Sequence, residues 1–175
     1  METAPTIRRY RPEDGEQVRE LHETAMRDAG AYVDTVSDTD LERVFETYVD
    51  GDGEFLVGDL DGSVVAMGGF RPVGETDYIA EIVPDLMDGA VELTRMRVDP
   101  DYQRRGYGRR IYEELERRAR SQGATRIVLD TMAKQTAARR LYEAQGFEEV
   151  HRERIEAFDD PFELLVYRKP LVDDG

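Results

Sequence analysis

Val91-Glu92-Leu93-Thr94-Arg95-Met96-Arg97-Val98-Asp99-Pro100-Asp101-Tyr102-Gln103-Arg104-Arg105-Gly106-Tyr107-Gly108 is the stretch on which the reading of this chain turns. Its first eight residues have strand character, and a basic turn bearing Gly106 and Gly108 follows. From Gly106 to Gln122 the apolar residues Ile111, Leu115 and Ala119 recur at helical spacing, which predicts an amphipathic crossover helix. N–H groups at a helix start have no partner within the helix, and glycines let a ligand approach closely, so a strand–turn–helix of this kind makes an anion site. Arg104, Arg105, Arg109 and Arg110 concentrate positive charge there, in a chain whose net charge is −15. The pattern predicts a phosphate-bearing ligand.

The strand carries a second signal. Val91 and Leu93 are apolar at odd positions, Met96 and Val98 at even ones. A strand with one buried face changes phase only through an extra residue, so a β-bulge is expected near Thr94–Arg95. A strand buried on both faces is the alternative, since phase then carries no meaning.

Working outward, Ile7–Tyr10 reads as a short strand and Asp14–Ala29 as a helix with Val18, Leu21 and Ala25 inward. A second helix is expected from Thr39, an N-cap, through Leu41, Val44, Phe45 and Tyr48. Glu54–Leu60 and Ser63–Phe70 form two strands joined by Asp61-Gly62, a strong hairpin signal. Residues 71–90, with Pro72, Pro84 and two glycines, read as a loop or weak insert. Arg126–Thr131 is a buried strand, and Thr136–Gln145 a helix stopped by Gly146. Phe147–Val150 and Phe162–Arg168 close the chain as strands. With no repeat, low-complexity tract or linker, residues 1–175 are expected to form one α/β domain.

Composition bounds the function. No cysteine is present, which removes disulfides, a thiolate nucleophile and cysteine metal sites. No apolar run approaches the ~18 residues a membrane span needs, and the N-terminal residues lack the features of a secretory signal, so a soluble cytoplasmic protein with no membrane partner is expected. The acids number 39, whereas Lys134 and Lys169 are the two lysines. Spread along the whole chain, that balance fits adaptation to molar intracellular salt, where the Debye length shrinks to about 3 Å. An acidic surface that attracts basic partners is the alternative. Duplex nucleic acid is disfavoured by the overall field.

Gln103-Arg104-Arg105-Gly106-Tyr107-Gly108 resembles the acyl-CoA pyrophosphate loop of the GNAT superfamily of N-acyltransferases, Q/R-x-x-G-x-G/A. The preceding Val98-Asp99-Pro100 is similar to many members. The downstream Ala138-Arg139-Arg140-Leu141-Tyr142-Glu143-Ala144-Gln145-Gly146-Phe147 resembles the family's A-x-x-L-Y-x-x-x-G-F segment. The order of elements over residues 6–168 agrees, so the resemblance spans nearly the whole chain. A dinucleotide fingerprint fits less well, because Ile111 stands where its third glycine belongs.

The resemblance implies a mixed, mostly antiparallel central sheet with splayed central strands, flanked by helices. It implies acetyl-CoA as cosubstrate, with Gln103, Arg104, Arg105, Gly106, Tyr107, Gly108 and Arg109 at its phosphates. Backbone groups of Met96, Arg97 and Val98 then meet the pantetheine amides. Gln135 occupies the position of a family asparagine that bonds pantetheine, one methylene longer. Transfer is expected to be direct, in a ternary complex with a small-molecule amine or peptide amine, and a homodimer is compatible with the family.

Two side chains are candidates for proton transfer. An amine near pKa 10 is protonated at neutral pH and must lose a proton before it attacks a thioester. Glu92, eleven residues before Gln103, matches the base glutamate of the histone-acetylating branch, and partial burial would raise its pKa usefully; an exposed strand carboxylate, or a residue that only orients the substrate, is its alternative. Tyr142 matches the tyrosine that protonates the departing thiolate; a core aromatic is its structural alternative. His22 and His151 have no ligand spacing and read as surface or satisfied residues. Asp50-Gly51-Asp52-Gly53-Glu54 reads as a turn, since Phe55 stands where a calcium loop needs glycine. The alternative to catalysis is a non-catalytic acyl-CoA-binding or regulatory module on the same scaffold. On the acceptor side, residues 28–39 and 71–90 carry Tyr32, Asp34, Asp38, Glu75, Asp77, Tyr78, Glu81 and Asp85, suited to a cationic amine.

Overall fold

The structure, a computed structural model, describes residues 4–32, 39–74, 77–83, 89–156 and 161–171. The elements are β1 (Thr6–Arg9), α1 (Gly15–Asp28), α2 (Thr39–Glu42), β2 (Glu54–Leu60), β3 (Ser63–Pro72), α3 (Tyr78–Ile82), β4 (Ala90–Val98), α4 (Tyr107–Ser121), β5 (Arg126–Met132), α5 (Thr136–Ala144), β6 (Glu148–Ile155) and β7 (Phe162–Pro170). The strands form one sheet in the order β1-β2-β3-β4-β5-β7-β6, antiparallel at every junction except β4–β5. Helices cover both faces, as the resemblance implied.

Local rules explain the boundaries. Asp61 and Gly62 both take positive φ, 51° and 91°, the combination a two-residue hairpin turn requires. Helix α5 ends in a Schellman motif: Phe147 N–H donates to the Tyr142 carbonyl at 3.0 Å, Gly146 N–H to that of Glu143 at 3.2 Å, and Gly146 has φ 92°. Phe147 then packs edge-on against the Tyr142 ring, 5.7 Å between centroids. The Gly-Phe pair of the sequence motif is therefore the device that fixes Tyr142.

Two apolar layers sandwich the sheet. On one face Ile111, Leu115 and Ala119 of α4 bury against Leu56, Phe70, Val91, Leu93 and Ile127. Full burial of a side chain such as Leu115 contributes roughly 1.5–3 kcal/mol. On the other face Val18 and Leu21 of α1 pack with Leu41, Val44, Tyr48, Phe55 and Met67. A smaller cluster joins Ile79 and Val83 to Val128 and Val166. Glu54 is buried by contrast with its charge: Arg9 grips it at 2.8 and 2.9 Å and Arg118 at 3.1 Å. Burial pushes its pKa up, but those bonds outweigh it and the carboxyl stays below its usual range. Lys169 is likewise engaged, by Glu116 and by the Tyr112 hydroxyl, whereas Lys134 is exposed.

Three expectations need correction. Residues 71–90 contain a one-turn helix, α3, because Ile79 and Val83 have a cluster to enter. The helix expected from Thr39 is broken: α2 stops at Glu42, Phe45–Val49 form a π turn, and Phe45 faces solvent. His22 is buried, so its reading as a surface residue gives way to its alternative, a satisfied one. Among the described residues, no helix is long and apolar enough to cross a membrane.

Candidate active site

Strand β4 leaves its parallel neighbour early. Pairing covers Ala90, Val91 and Glu92 against Arg126, Ile127 and Val128, after which β4 runs on to Val98 without a partner on β5. The central strands are splayed, and Glu92 stands at the fork. Its side chain is 14% exposed, and Arg71, opposite it on β3, approaches no closer than 3.7 Å. Burial raises the Glu92 pKa to about 7, helped by the charge of Asp130 and opposed by that of Arg71.

The expected bulge is present. Met67 faces Arg97 and Gly69 faces Thr94, so three steps on β4 match two on β3. Arg95 takes φ 60°, an uncommon value for a side chain with a Cβ. Gly68 makes the room: a Cβ there would lie 2.3 Å from the Met96 sulfur. The phase change sends Met96 into the α4 layer and brings Arg95 and Arg97 to the α1 side. Arg95 binds Asp40 through two bonds of 2.6 and 2.9 Å, and the Tyr48 hydroxyl donates to the same carboxylate at 2.7 Å. Burial alone would raise Asp40, but Arg95 holds it below the usual range. Arg97 Nε donates to His22 Nδ1 at 3.2 Å, and Arg95 approaches the other ring nitrogen at 3.4 Å. His22 is thus spent on fixing two arginines.

Across the fork, β5 contributes Asp130. It is exposed to solvent, yet burial is what chiefly raises its pKa, against Arg95, Arg97 and Arg71. Both hold for a carboxyl crowded by protein atoms with part of its surface still meeting solvent. Tyr142 of α5 is buried beside Phe147 and Tyr167. Burial raises its pKa to about 12, with Arg97 lowering it and Asp130 raising it. At neutral pH it is a phenol with a proton to give, and among the described residues no hydrogen bond engages its hydroxyl.

The far end of β4 abuts the head of α4. Gly106 has φ 80°, and the N–H groups of Gly106, Tyr107, Gly108 and Arg109 meet no acceptor among the described residues. No acidic residue occupies the first turn to oppose the helix dipole. Gly108 lets the helix close on its neighbours, since a Cβ there would lie 3.2 Å from Val98 and 3.8 Å from Leu141. Gln103, Arg104, Arg105 and Arg109 are exposed around the turn, and Arg105 lies over the Tyr102 ring at 5.2 Å. Arg110 turns away, to the Pro5 carbonyl. This set of donors fits a diphosphate.

Two candidates are partly engaged. The Met96 carbonyl accepts from Arg97 at 2.8 Å. The Gln135 carbonyl accepts from Met132 N–H at 2.9 Å and from Thr131 at 3.1 Å, while its amide nitrogen faces the Met26 sulfur at 3.6 Å, a weak acceptor. Gln135 therefore keeps donor capacity but little acceptor capacity.

A model of the acetyltransferase (GNAT) family matches residues 16–147. The chain belongs to that family. It is 30% identical over 117 residues to human N-acetyltransferase 8, covering 66% of this chain and 48% of that protein. It is 42% identical over 81 residues to the ribosomal protein bS18 alanine N-acetyltransferase of Escherichia coli K12, covering 45% of this chain and 55% of that one. It spans about half the length of these relatives. In fold it is similar to a putative acetyltransferase from Salmonella typhimurium solved with acetyl-CoA, with TM-score 0.77, 22% identity, and 99% and 96% of the two chains covered.

Of the residues expected on the acceptor side, Asp34, Asp38, Glu75 and Asp85 lie outside the described residues. Asp77 accepts from Gly74 N–H at 2.6 Å at the start of α3, and Tyr78 bonds Glu153 of β6. Tyr32 lies 4.2 Å beneath Arg27. Sequence reasoning did not single out Arg71, Asp40, Tyr48 or Asp130. For Asp130 a signal existed: a lone carboxylate directly follows the apolar run Ile127-Val128-Leu129 within the same strand.

Proposed function

We propose that this GNAT-family chain is an N-acetyltransferase, one domain over residues 1–175, that moves the acetyl group of acetyl-CoA to a primary amine by direct attack in a ternary complex. The fork carries the reading. Pairing stops at a half-buried carboxylate poised near neutral pH, and an unsatisfied amide cradle stands at the far end of the freed strand. Between them lie residues 93–98, roughly 15–20 Å of strand edge open to an extended, amide-bearing ligand.

Acetyl-CoA, when bound, supplies the activated thioester. The amides of Gly106, Tyr107, Gly108 and Arg109, with Gln103, Arg104 and Arg105, hold its phosphates. Backbone groups of Met96, Arg97 and Val98 orient its arm, and the Gln135 amide nitrogen adds a donor. Glu92 takes a proton from the acceptor ammonium, freeing the nitrogen lone pair for the carbonyl carbon. Tyr142 gives its proton to the sulfur as the C–S bond breaks. The second nitrogen proton leaves after the C–N bond forms and restores the phenol through solvent. A small-molecule amine and a peptide amine are the acceptor classes; the bS18 alanine relative supports the second. Charge composition supports a cytoplasmic protein of a salt-rich cell.

Glu92→Gln and Tyr142→Phe should each lower kcat by about 10²–10⁴-fold, with the acetyl-CoA Kd changed less than about threefold by calorimetry. In the wild type, turnover should rise with pH through about 7 as Glu92 loses its proton. Full activity in both variants would overturn the two assignments.

A further inference from the structure

Among the described residues, every other carboxylate near the fork has an occupant. Asp40 is held by Arg95 and Tyr48, and Glu92 faces Arg71. Asp130 has no hydrogen bond or ion pair among the described residues. Two of the nearby guanidiniums are already committed, Arg95 to Asp40 and Arg97 to His22 and the Met96 carbonyl, while Arg71 stands 3.7 Å from Glu92 with its buried Nε unpaired among the described residues. A carboxylate left unclaimed beside three arginines is free to take a ligand.

Its place follows from register. Glu92 pairs with Val128, and side chains alternate along a strand, so Asp130 projects from the same face two residues further along β5. That puts it roughly 7 Å beyond the last paired position, on the side β4 has vacated. It is open to solvent, and its charge reaches Glu92, Tyr142 and Tyr78. Asp130 is thus felt by both proton-transfer candidates. A carboxylate that burial disfavours in its charged form gains most from a cation that docks against it.

We propose that Asp130 seats the acceptor's ammonium group beside Glu92, so that the acceptor enters as a protonated primary amine and gives up its proton only inside the fork. The idea rests on the acetyltransferase reading, and it deepens that reading by assigning the residue that receives the acceptor. Glu92 is kept for proton transfer, and Asp130 supplies a carboxyl group that the docked ammonium holds in its charged form. Arg71, by its position against Glu92, discourages ammonium from lodging on the base itself.

The test uses the full chain in high salt, with butylammonium and an alanine-initiated hexapeptide as probes. Replacing Asp130 by Asn should raise the amine KM by about tenfold or more, with kcat and the acetyl-CoA KM changed less than about threefold. Asp130→Glu should restore most of the loss, which a merely structural defect would not allow. Calorimetric titration of each probe into wild type and Asp130→Asn provides a second reading that needs no turnover, with binding weakened by the same factor. An unchanged amine KM in Asp130→Asn, or no binding of either probe to the wild type, overturns the proposal. Tight amine binding lost in Asp130→Asn, but without acetyl transfer in the wild type, would sink the enzymatic reading and leave the ammonium seat standing.

Discussion

At Glu92 the balance between burial and charge is testable through folding as well as turnover. A carboxyl raised from 4.5 to about 7 on folding is one whose ionisation the native state resists. The sign is the reverse of a salt-bridged acid. Relative to a neutral side chain, Glu92 costs nothing below its unfolded pKa; the penalty grows as pH rises from there and is complete above about 7. Glu92→Gln should therefore unfold at a higher temperature than wild type at pH 8, by up to about 3 kcal/mol, and show no such gain at pH 4. A calorimetric scan at the two pH values decides it, and equal shifts at both would mean that burial does not act on this group. The glycines of the turn were legible because turn chemistry is local, and Glu92 and Tyr142 were singled out through short motifs that resemble the family's. Asp130 and Arg71 were not, because their meaning arises only when β3, β4 and β5 are laid side by side.

Among the elements, β4 shows why some features were readable and others not. Its bulge follows from parity within eight residues, and the hairpin and the α5 terminus follow from turn chemistry equally close at hand. Helix α3 has only five residues, too few to display a 3.6-residue period between flanking glycine and proline. The burial of His22 depends on Arg95 and Arg97, 73 and 75 residues away. The bulge also makes a prediction. In Gly68→Ala the new methyl meets Met96 at 2.3 Å and Ile111 and Leu115 at 3.1 Å. Met96 can swing aside, but the two α4 side chains are held by their helix. A loss of about 1–3 kcal/mol is expected in urea unfolding, with weaker acetyl-CoA binding as β4 shifts. Adding Met96→Ala should recover part of it; no recovery would point away from this contact.

For the molecule as a whole, a net charge of −15 opposes compaction. Exposed arginine–carboxylate pairs such as Arg27–Glu23 and Arg152–Glu149 contribute little each. Screening therefore removes more repulsion than attraction. Raising KCl from ~0.1 M to ~2 M should lift the Tm by more than about 4 °C, or roughly 1–2 kcal/mol. A falling Tm would show that the ion pairs dominate.

The scarcity of lysine has a practical corollary. With Lys169 tied to Glu116 and Tyr112, Lys134 is the ε-amino group open to reagents, and it stands just ahead of α5. A succinimidyl dye at mild pH should mark this side chain in preference to its partner, giving a near-stoichiometric reporter beside the cleft. For the same reason, a catalyst that acylates amines would offer its own reaction few places to land.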